Sequence, residues 1–283
     1  MPRDSVAELS QMILSHPGFA DASRRYAVEY TQWREQLGML NKVIANAARL
    51  RILENLIYLH TVRFEDEGRR GASFERIAEL SGFTDQIGTR AVRTLLRIAQ
   101  IGGLVVGGRD AEDGRLRVYQ PTETLMAHAR EYAVIILRPL DYVFAHLRIS
   151  EQMAHDPAYY SYVVSAFGRV YVAMGMRTSK TSDPFRDLMR LEGASPILVT
   201  VLDCHFQGRD IPAAPEFARR FLVSQSQARA VLKAAEAQGL IRSGPRGRLI
   251  DAKPLEKAMF GAYARFLAFA AINGFGVNSP GVA

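Results

Sequence analysis

Arginine residues recur at helical spacing in residues 89–100, and their side chains could bind phosphates or the edges of bases. One face holds four polar side chains at the spacing i, i+3, i+4 and i+7, namely Arg90, Arg93, Thr94 and Arg97. The opposite face is apolar and carries Val92, Leu95, Leu96 and Ala99. A helix that packs by one face can enter a DNA major groove with the other, where guanidinium groups match phosphate and guanine. The pattern predicts a DNA-reading helix; the alternative is a polar face that is only solvated.

A short hairpin is predicted directly after this helix. Residues 101–106 are predicted to form a turn and the first strand, residues 111–114 the tip, and residues 115–119 the second strand. Arg115 and Arg117 on the returning strand are expected to contact the DNA backbone. The tip is acidic, with Asp110, Glu112 and Asp113. Because carboxylates repel phosphates, this hairpin is expected to lie beside the DNA, or to be a solvated hairpin only.

The segment before the arginine helix completes a characteristic order of elements. Residues 73–82 have the spacing of a short amphipathic helix that ends at Gly82. Helix, turn, helix and a two-stranded ribbon that carries arginines is the layout of a winged helix-turn-helix. In this order and in its glycine positions the chain resembles the MarR-like winged-helix regulators. The resemblance implies a DNA-binding transcriptional regulator.

The same order of elements occurs a second time along the chain. Residues 224–238 correspond to the arginine helix, and the Gly-Leu pairs that follow the two helices align. Three further pairs of segments correspond: 50–59 with 196–206, 75–82 with 215–222, and 103–106 with 239–242. Repetition of one supersecondary unit predicts an internal duplication. We therefore expect two winged-helix units in one chain.

The second unit has its own candidate DNA-binding residues. Its helix begins at Ser224, a good N-cap residue, and its outward face carries Gln225, Ser226, Arg229 and Lys233. Arg246 and Arg248 lie on a shorter wing, residues 242–249, and are expected to hold the DNA backbone. The negatively charged Glu236, near the end of the same helix, is poorly suited to contact a phosphate. The first unit has about four more residues between its second and third helices, so its turn is expected to differ.

The N-terminal part of the chain is predicted to be helical. Breaks are expected at Pro17-Gly18 and at Gly38. The last helix of this part, residues 41–60, has an apolar side and should supply the first helix of the first unit. The charged, glycine-bearing residues 63–71 are predicted to be a loop.

A helical region is also predicted between the two units. Thr122 can cap its first helix, Arg138-Pro139 interrupts the pattern, and Pro157 starts a new segment. Residues 177–184 have the composition of a linker. The segment after Pro157 is rich in aromatic residues and methionine: Tyr159, Tyr160, Tyr162, Phe167, Tyr171, Met174 and Met176. This patch could line a pocket for a small-molecule effector, form an interface, or be ordinary core between helices.

Composition and motifs exclude several classes of function. The 283 residues carry a net charge of +7 with a pI of about 9.7, which weakly favours a polyanionic partner; arginine-rich genome composition explains the charge equally well. Cys204 is the only cysteine, so thiolate zinc sites and intramolecular disulfides are excluded. The six histidines lack ligand spacing, and no phosphate-binding loop, metalloprotease motif or nucleophile elbow occurs. We expect no enzyme activity, no metal and no cofactor.

The expected location is the cytoplasm, with no membrane association. The first residues lack the basic-then-apolar order of a signal peptide, and no uninterrupted apolar run approaches the roughly 18 residues of a membrane span. The C-terminal segment, residues 254–272, is amphipathic. Because MarR-like proteins dimerise through helices outside their winged domains, the resemblance makes this segment a candidate partner helix in a homodimer.

The predicted fold class is mainly α with small β-hairpins (α+β), with tandem winged helix-turn-helix domains joined by a helical linker region. The predicted function is sequence-specific binding of double-stranded DNA in transcription regulation, at half-sites about 10 base pairs apart. Two alternatives are a tandem winged-helix replication or partition initiator, and a winged-helix protein-interaction module that does not bind DNA. The predicted regions are 1–45, N-terminal helices; 46–122, first winged-helix domain; 123–192, helical linker or dimerisation region; 193–253, second winged-helix domain; and 254–283, C-terminal helix and tail.

Overall fold

The protein is mainly helical, with two small antiparallel hairpins. The structure, a computed structural model, describes residues 3–62, 71–85, 87–110, 113–173, 184–244 and 248–277. The first half contains α1 (Arg3–Ser15), α2 (Phe19–Gln36), α3 (Leu40–Val43), α4 (Ala47–Val62), α5 (Phe74–Asp85), α6 (Thr89–Ile101), β1 (Val105–Arg109) and β2 (Arg117–Pro121). The expected mainly α fold class with small hairpins is confirmed.

The middle of the chain is helical, and its second half again contains helices and one hairpin. A helical region contains α7 (Glu123–Leu137), α8 (Pro139–Val143), a 3₁₀ turn (Ala145–Leu147), α9 (Ile149–His155), α10 (Pro157–Ala173) and α11 (Pro184–Met189). The remaining elements are α12 (Ala194–Gln207), α13 (Ala214–Phe221), α14 (Gln225–Ala237), β3 (Arg242–Ser243), β4 (Leu249–Asp251) and α15 (Lys253–Phe275).

Three helices, a hairpin and a further helix follow one another twice. The first set is α4, α5, α6, β1, β2 and α7, and the second set is α12, α13, α14, β3, β4 and α15. We call the three helices and hairpin of each set the first unit and the second unit.

The third helix of each unit ends in the same hydrogen-bonded turn. After α6, Gly103 takes a left-handed conformation (φ 68°), and the Leu104 N–H donates to the Ala99 carbonyl at 2.9 Å. After α14, Gly239 does the same (φ 66°), and the Leu240 N–H donates to the Ala235 carbonyl at 2.9 Å. This is the glycine-dependent C-terminal cap that joins a helix to a following strand. The aligned Gly-Leu pairs of the sequence therefore have identical backbone roles.

The second helices of the two units differ, but not as the sequence suggested. Helix α5 does not end at Gly82; it has 12 residues, whereas α13 has 8, so the extra length extends the helix rather than the turn. The position that aligns with Gly82 is Leu222, which ends α13 in a left-handed conformation (φ 54°). A non-glycine residue tolerates this conformation only where the surrounding packing fixes it.

The prediction of one helix over residues 41–60 was wrong, because the chain breaks between α3 and α4. The side chain of Asn46 accepts a hydrogen bond from the Arg49 N–H at 2.9 Å, and its carbonyl accepts from the Leu50 N–H at 3.0 Å. This is an N-cap arrangement, which Asn favours. The cap therefore starts a new helix at Ala47 although the apolar periodicity continues through it.

The helical region between the units agrees with its local signals. Thr122 caps α7 by accepting from the Leu125 N–H, α7 ends before Arg138-Pro139, and α10 begins at Pro157. Most of the expected linker, residues 177–184, lies outside the described residues, as do most of the expected loop 63–71 and the side chains of Tyr171, Met174 and Met176.

Buried apolar side chains form three clusters. The first joins α2 to the three helices of the first unit, the second joins α1 and α15 to α7 through α10, and the third fills the second unit. Within the described ranges, α15 is the one helix long and apolar enough to cross a membrane (mean hydropathy 1.2). A buried core helix passes the same test, and α15 packs on α1 and α10 of its own chain, so this finding is weak evidence for a membrane. A homodimer through α15 stays a prediction.

Buried tyrosines yield a prediction about alkaline pH. Burial, reinforced by neighbouring tyrosines, raises the pKa of Tyr26, Tyr132 and Tyr263 well above the ordinary value. Because the folded pKa values exceed the unfolded value of about 10, this contribution to stability is fully present below pH 10. It is lost as the pH rises through the folded values. We expect the free energy of unfolding to fall in that range, and to fall less in Tyr26→Phe.

Phenolate absorbance measures the ionisation directly, and the same titration in denaturant is the control. The folded protein should ionise fewer than its 11 tyrosines near pH 10, whereas the unfolded chain should ionise all of them together. Ionisation of all 11 tyrosines in one step near pH 10, while the helical signal is intact, would contradict the burial of these tyrosines.

Candidate nucleic-acid interface

Helix α6 has one buried and one exposed face, as its periodicity predicted. Val92, Leu95, Leu96 and Ala99 are buried in the first cluster. The polar face is exposed along its whole length: Arg90, Arg93, Thr94 and Arg97. The structure therefore leaves four predicted DNA-binding side chains of this helix accessible to a macromolecular partner.

The first hairpin lies against the C-terminal half of α6 and forms a groove with it. Strands β1 and β2 pair antiparallel, with Arg109 opposite Arg117. Five side chains line a concave space of about 410 Å³: Arg93, Arg97 and Gln100 of α6, and Arg117 and Tyr119 of β2. We call this space the arginine groove. Three guanidinium groups from two elements face one opening, which favours a partner with closely spaced negative charges.

Glycine and aromatic residues hold the groove together. A Cβ atom on Gly107 would come within 2.3 Å of the Gln100 Nε2 atom, so glycine here leaves room for the end of the flexible Gln100 side chain. The guanidinium of Arg117 lies over the Tyr119 ring at 5.7 Å, and that of Arg93 lies over the Phe74 ring at 5.1 Å. Cation–π contacts of this kind limit the directions in which the two charges point.

The acidic tip of the first hairpin is used to form the turn. The Asp110 carboxylate accepts from the Asp113 N–H at 3.0 Å, and the Asp113 carboxylate accepts from the Arg115 N–H at 3.0 Å. Arg109 donates to the Gly114 carbonyl at 2.7 Å. Arg115 is exposed, and Glu112 lies outside the described residues. Aspartates therefore fix this turn through backbone N–H groups, although their charge still lies near Arg115.

Helix α14 repeats the two-faced arrangement in the second unit. Ala228, Val231 and Ala235 are buried. The expected outward face is exposed: Gln225, Ser226, Arg229 and Lys233. A capping box starts the helix, because the Gln227 N–H donates to the Ser224 Oγ atom (3.1 Å) and the Ser224 N–H donates to the Gln227 Oε1 atom (2.7 Å). This cap confirms the N-terminal signal of Ser224.

The second hairpin is shorter, and one acidic side chain connects it to α14. The Ser243 hydroxyl on β3 hydrogen-bonds the Glu236 carboxylate at the end of α14. Arg248 is exposed beside β4, and Arg246 lies outside the described residues. Glu236 thus joins helix and hairpin, and it also leaves a negative charge on the side where a phosphate would approach.

Two groove residues were not predicted from the sequence. Gln100 lies three residues after Arg97 and seven after Arg93, so the helical spacing already used for the arginines would have found it. Tyr119 could not be found in that way, because its place in the groove depends on how the hairpin folds back on α6.

The described residues contain no group of three or more His, Cys, Asp or Glu side chains that could hold a metal ion. Cys204 is buried in α12, and burial raises the pKa of its thiol. A protonated, buried thiol is a poor nucleophile.

A polar junction connects the first helix of the first unit to the third helix of the second. The Arg49 Nη2 atom of α4 lies 2.5 Å from the Glu192 Oε1 atom, and the other oxygen of Glu192 accepts from the side chain of Gln227 in α14. The Gly193 N–H donates to the Ala45 carbonyl at 2.7 Å. Glu192 therefore contacts both units and the capping box that starts α14.

Comparisons with protein-family models, with curated proteins and with solved structures found no match to this chain.

The junction can be tested with a double-mutant cycle on Arg49→Ala and Glu192→Ala. Because both side chains are about one-third exposed, we expect a coupling energy of about 0.5–1 kcal/mol in the free energy of unfolding. The control pair is Arg24 and Asp21 on α2, which is more exposed and should couple by only a few tenths of a kcal/mol. Additive effects at Arg49 and Glu192 would mean that this ion pair does not link the units.

Proposed function

We propose that this protein is a sequence-specific double-stranded DNA-binding transcription regulator of the MarR-like type. In this proposal the two units are tandem winged helix-turn-helix domains, α6 and α14 are the recognition helices, and the hairpins are the wings. The observation that carries the proposal is the arginine groove, in which a helix and a hairpin present three guanidinium groups to one opening.

The groove suits a duplex better than it suits a small anion. Arg93 and Arg97 lie on the exposed face of α6, which also carries Arg90 and Thr94 and is free to enter a major groove. Arg117 lies on the hairpin beside that helix and can reach the neighbouring phosphate backbone. A helix that reads bases next to a strand that holds phosphates is the division of contacts in winged-helix complexes with DNA.

The repeat adds a second surface of the same kind. Helix α14 exposes Gln225, Ser226, Arg229 and Lys233, and glutamine and arginine are the side chains that pair bidentately with adenine and guanine. Two reading helices in one chain would recognise two half-sites without a second subunit. A replication or partition initiator would use the same surfaces, and directly repeated half-sites would favour it over a regulator.

The competing function is a protein-interaction module that does not bind DNA. Glu236 at the end of α14 and the aspartates at the first hairpin tip favour it, because they place negative charge near both proposed surfaces. The two functions differ in their response to salt, since binding to duplex DNA releases counterions from phosphates and weakens steeply as salt increases.

The salt dependence of binding to a labelled random duplex tests the proposal. Substitution of Arg93, Arg97 and Arg117 by Ala should weaken binding at low salt. It should also lower the slope of log K against log salt by about 0.9 for Arg117, and by up to about 2.7 if all three guanidinium groups neutralise phosphates on a random duplex. Fluorescence anisotropy measures both quantities.

The control removes three arginines that lie outside the two units and already pair with carboxylates: Arg24, Arg130 and Arg148. It changes the net charge by the same amount and should leave the slope within about one unit of the parent slope. Equal effects of the two triple variants would mean that DNA binding depends on the net charge of the protein and not on the arginine groove. Failure of the parent protein to bind any duplex at low salt would support the protein-interaction module.

A further inference from the structure

A large cavity lies on the side of α4 that faces the helical region, away from the arginine groove. Its volume is about 580 Å³, which is within the range of sites for small organic ligands. Helices α4, α7, α10 and α15 form the walls, and Trp33 of α2 lies on one of them. The walls are mainly apolar and include Leu50, Leu53, Ala129, Ala133, Phe167 and Phe266.

Small residues line part of this space. Ala129 and Ala133 lie one turn apart on the α7 wall, and Gly168 and Gly274 lie on α10 and α15. A Cβ atom on Gly168 would come within 2.2 Å of the Tyr58 ring, which also lines the cavity, so glycine at this position lets the aromatic ring approach α10. The space is partly open to solvent between the helices that line it. A concave, mainly apolar space of this size is typical of the sites that bind small organic molecules.

The wall has a polar part, and most of it is already satisfied. Arg51 and Glu54 pair at 2.5 Å, and the Asn55 amide donates to the Ser81 hydroxyl at 3.2 Å. Trp33 also lies on the wall; it is 4% exposed and stacks on Tyr132 with 5.0 Å between ring centroids. Within the described residues its indole N–H has no hydrogen-bond acceptor. A buried donor without an acceptor is costly, and a ligand that brings an acceptor removes this cost.

We propose that this cavity binds one neutral, ring-bearing organic molecule that carries a hydrogen-bond acceptor such as a carbonyl oxygen. The apolar walls select the rings, and the Trp33 N–H selects the acceptor. The ligand is neutral because the charges of Arg51 and Glu54 compensate each other on the wall, and the further arginine of the lining, Arg265, is exposed to solvent. An uncompensated charge is expensive to bury. This site does not depend on DNA binding, so either proposal can fail alone.

Trp33 is the only tryptophan of the chain and therefore reports on the cavity directly. The probe is 6-propionyl-2-dimethylaminonaphthalene, a neutral naphthalene with a carbonyl group and an emission that depends on polarity. Titrated into the full-length protein, it should saturate at one molecule per chain, quench Trp33 by energy transfer and shift its own emission to shorter wavelength. Absence of saturable energy transfer would overturn the proposal.

Filling the cavity should remove the binding. Ala133→Phe, checked for folding by circular dichroism, should weaken binding of the naphthyl ketone at least about tenfold, because the new ring occupies ligand space. The matched control is Ala127→Phe, which adds the same ring to the exposed face of the same helix and should leave binding unchanged. Equal binding by the two variants would place the probe elsewhere and overturn the proposal.

A substitution that leaves the cavity open tests the hydrogen bond and does not depend on how well Ala133→Phe folds. Trp33→Phe keeps an aromatic wall but removes the N–H, and probe emission then measures binding. It should weaken the naphthyl ketone about three- to tenfold more than it weakens 2-dimethylaminonaphthalene, which lacks the carbonyl. Equal weakening of the two compounds would show that Trp33 only packs against the ligand, and would overturn the assigned chemistry.

Discussion

The aromatic side of α2 holds the protein together, and the positions of both units depend on it. The Trp33 ring stacks on Tyr132 of α7, and the Tyr26 ring lies 4.6 Å from the Tyr263 ring of α15. Tyr30 shares a hydrogen bond of 2.7 Å with the Ser195 hydroxyl of α12. Burial of each large aromatic side chain contributes on the order of 2–3 kcal/mol, so removing this helix would expose surface on both halves of the chain.

Polar contacts make this packing specific. Arg220 of α13 donates to Glu35 at 2.6 Å, and Glu29 pairs with Arg138 at the junction of α7 and α8. The Arg220–Glu35 pair ties α2 to the second unit, Glu192 ties α4 to it through Arg49 and Gln227, and the Glu29–Arg138 pair ties α2 to the helical region. Ion pairs near the surface add little stability, so the apolar contacts contribute most of it. The second unit is therefore held against the N-terminal helices by apolar and by polar contacts.

The features predicted correctly from the sequence are those whose cause lies within a few residues. Gly103 and Gly239 end their helices because glycine tolerates the left-handed conformation, and Thr122 and Ser224 begin theirs because their hydroxyl groups accept backbone N–H bonds. Periodicity likewise placed the arginines of α6 on an exposed face. Local signals misled at Asn46, where a capping side chain breaks a continuing apolar pattern, and at Gly82, where the helix continues to Asp85.

Features that depend on residues far apart in the sequence could not be predicted from local signals. Tyr119 lies in the arginine groove only because the hairpin folds back on α6, and the cavity exists only because helices from separate parts of the chain leave space between them. The first buried cluster crosses the division expected near residue 45, since the packing of α2 against the first unit has no local signature. The proposed domain limits therefore remain predictions, whereas the repeated order of elements is observed.

The measurement that tests the central claim most directly is repeated selection of bound sequences from a pool of random DNA duplexes with the full-length protein. If α6 and α14 both read bases, the bound fraction should be enriched in duplexes with two separate short motifs at a fixed spacing, in a direct or inverted arrangement. A bound fraction with the same sequence composition as the starting pool, after several rounds at moderate salt, would contradict the account.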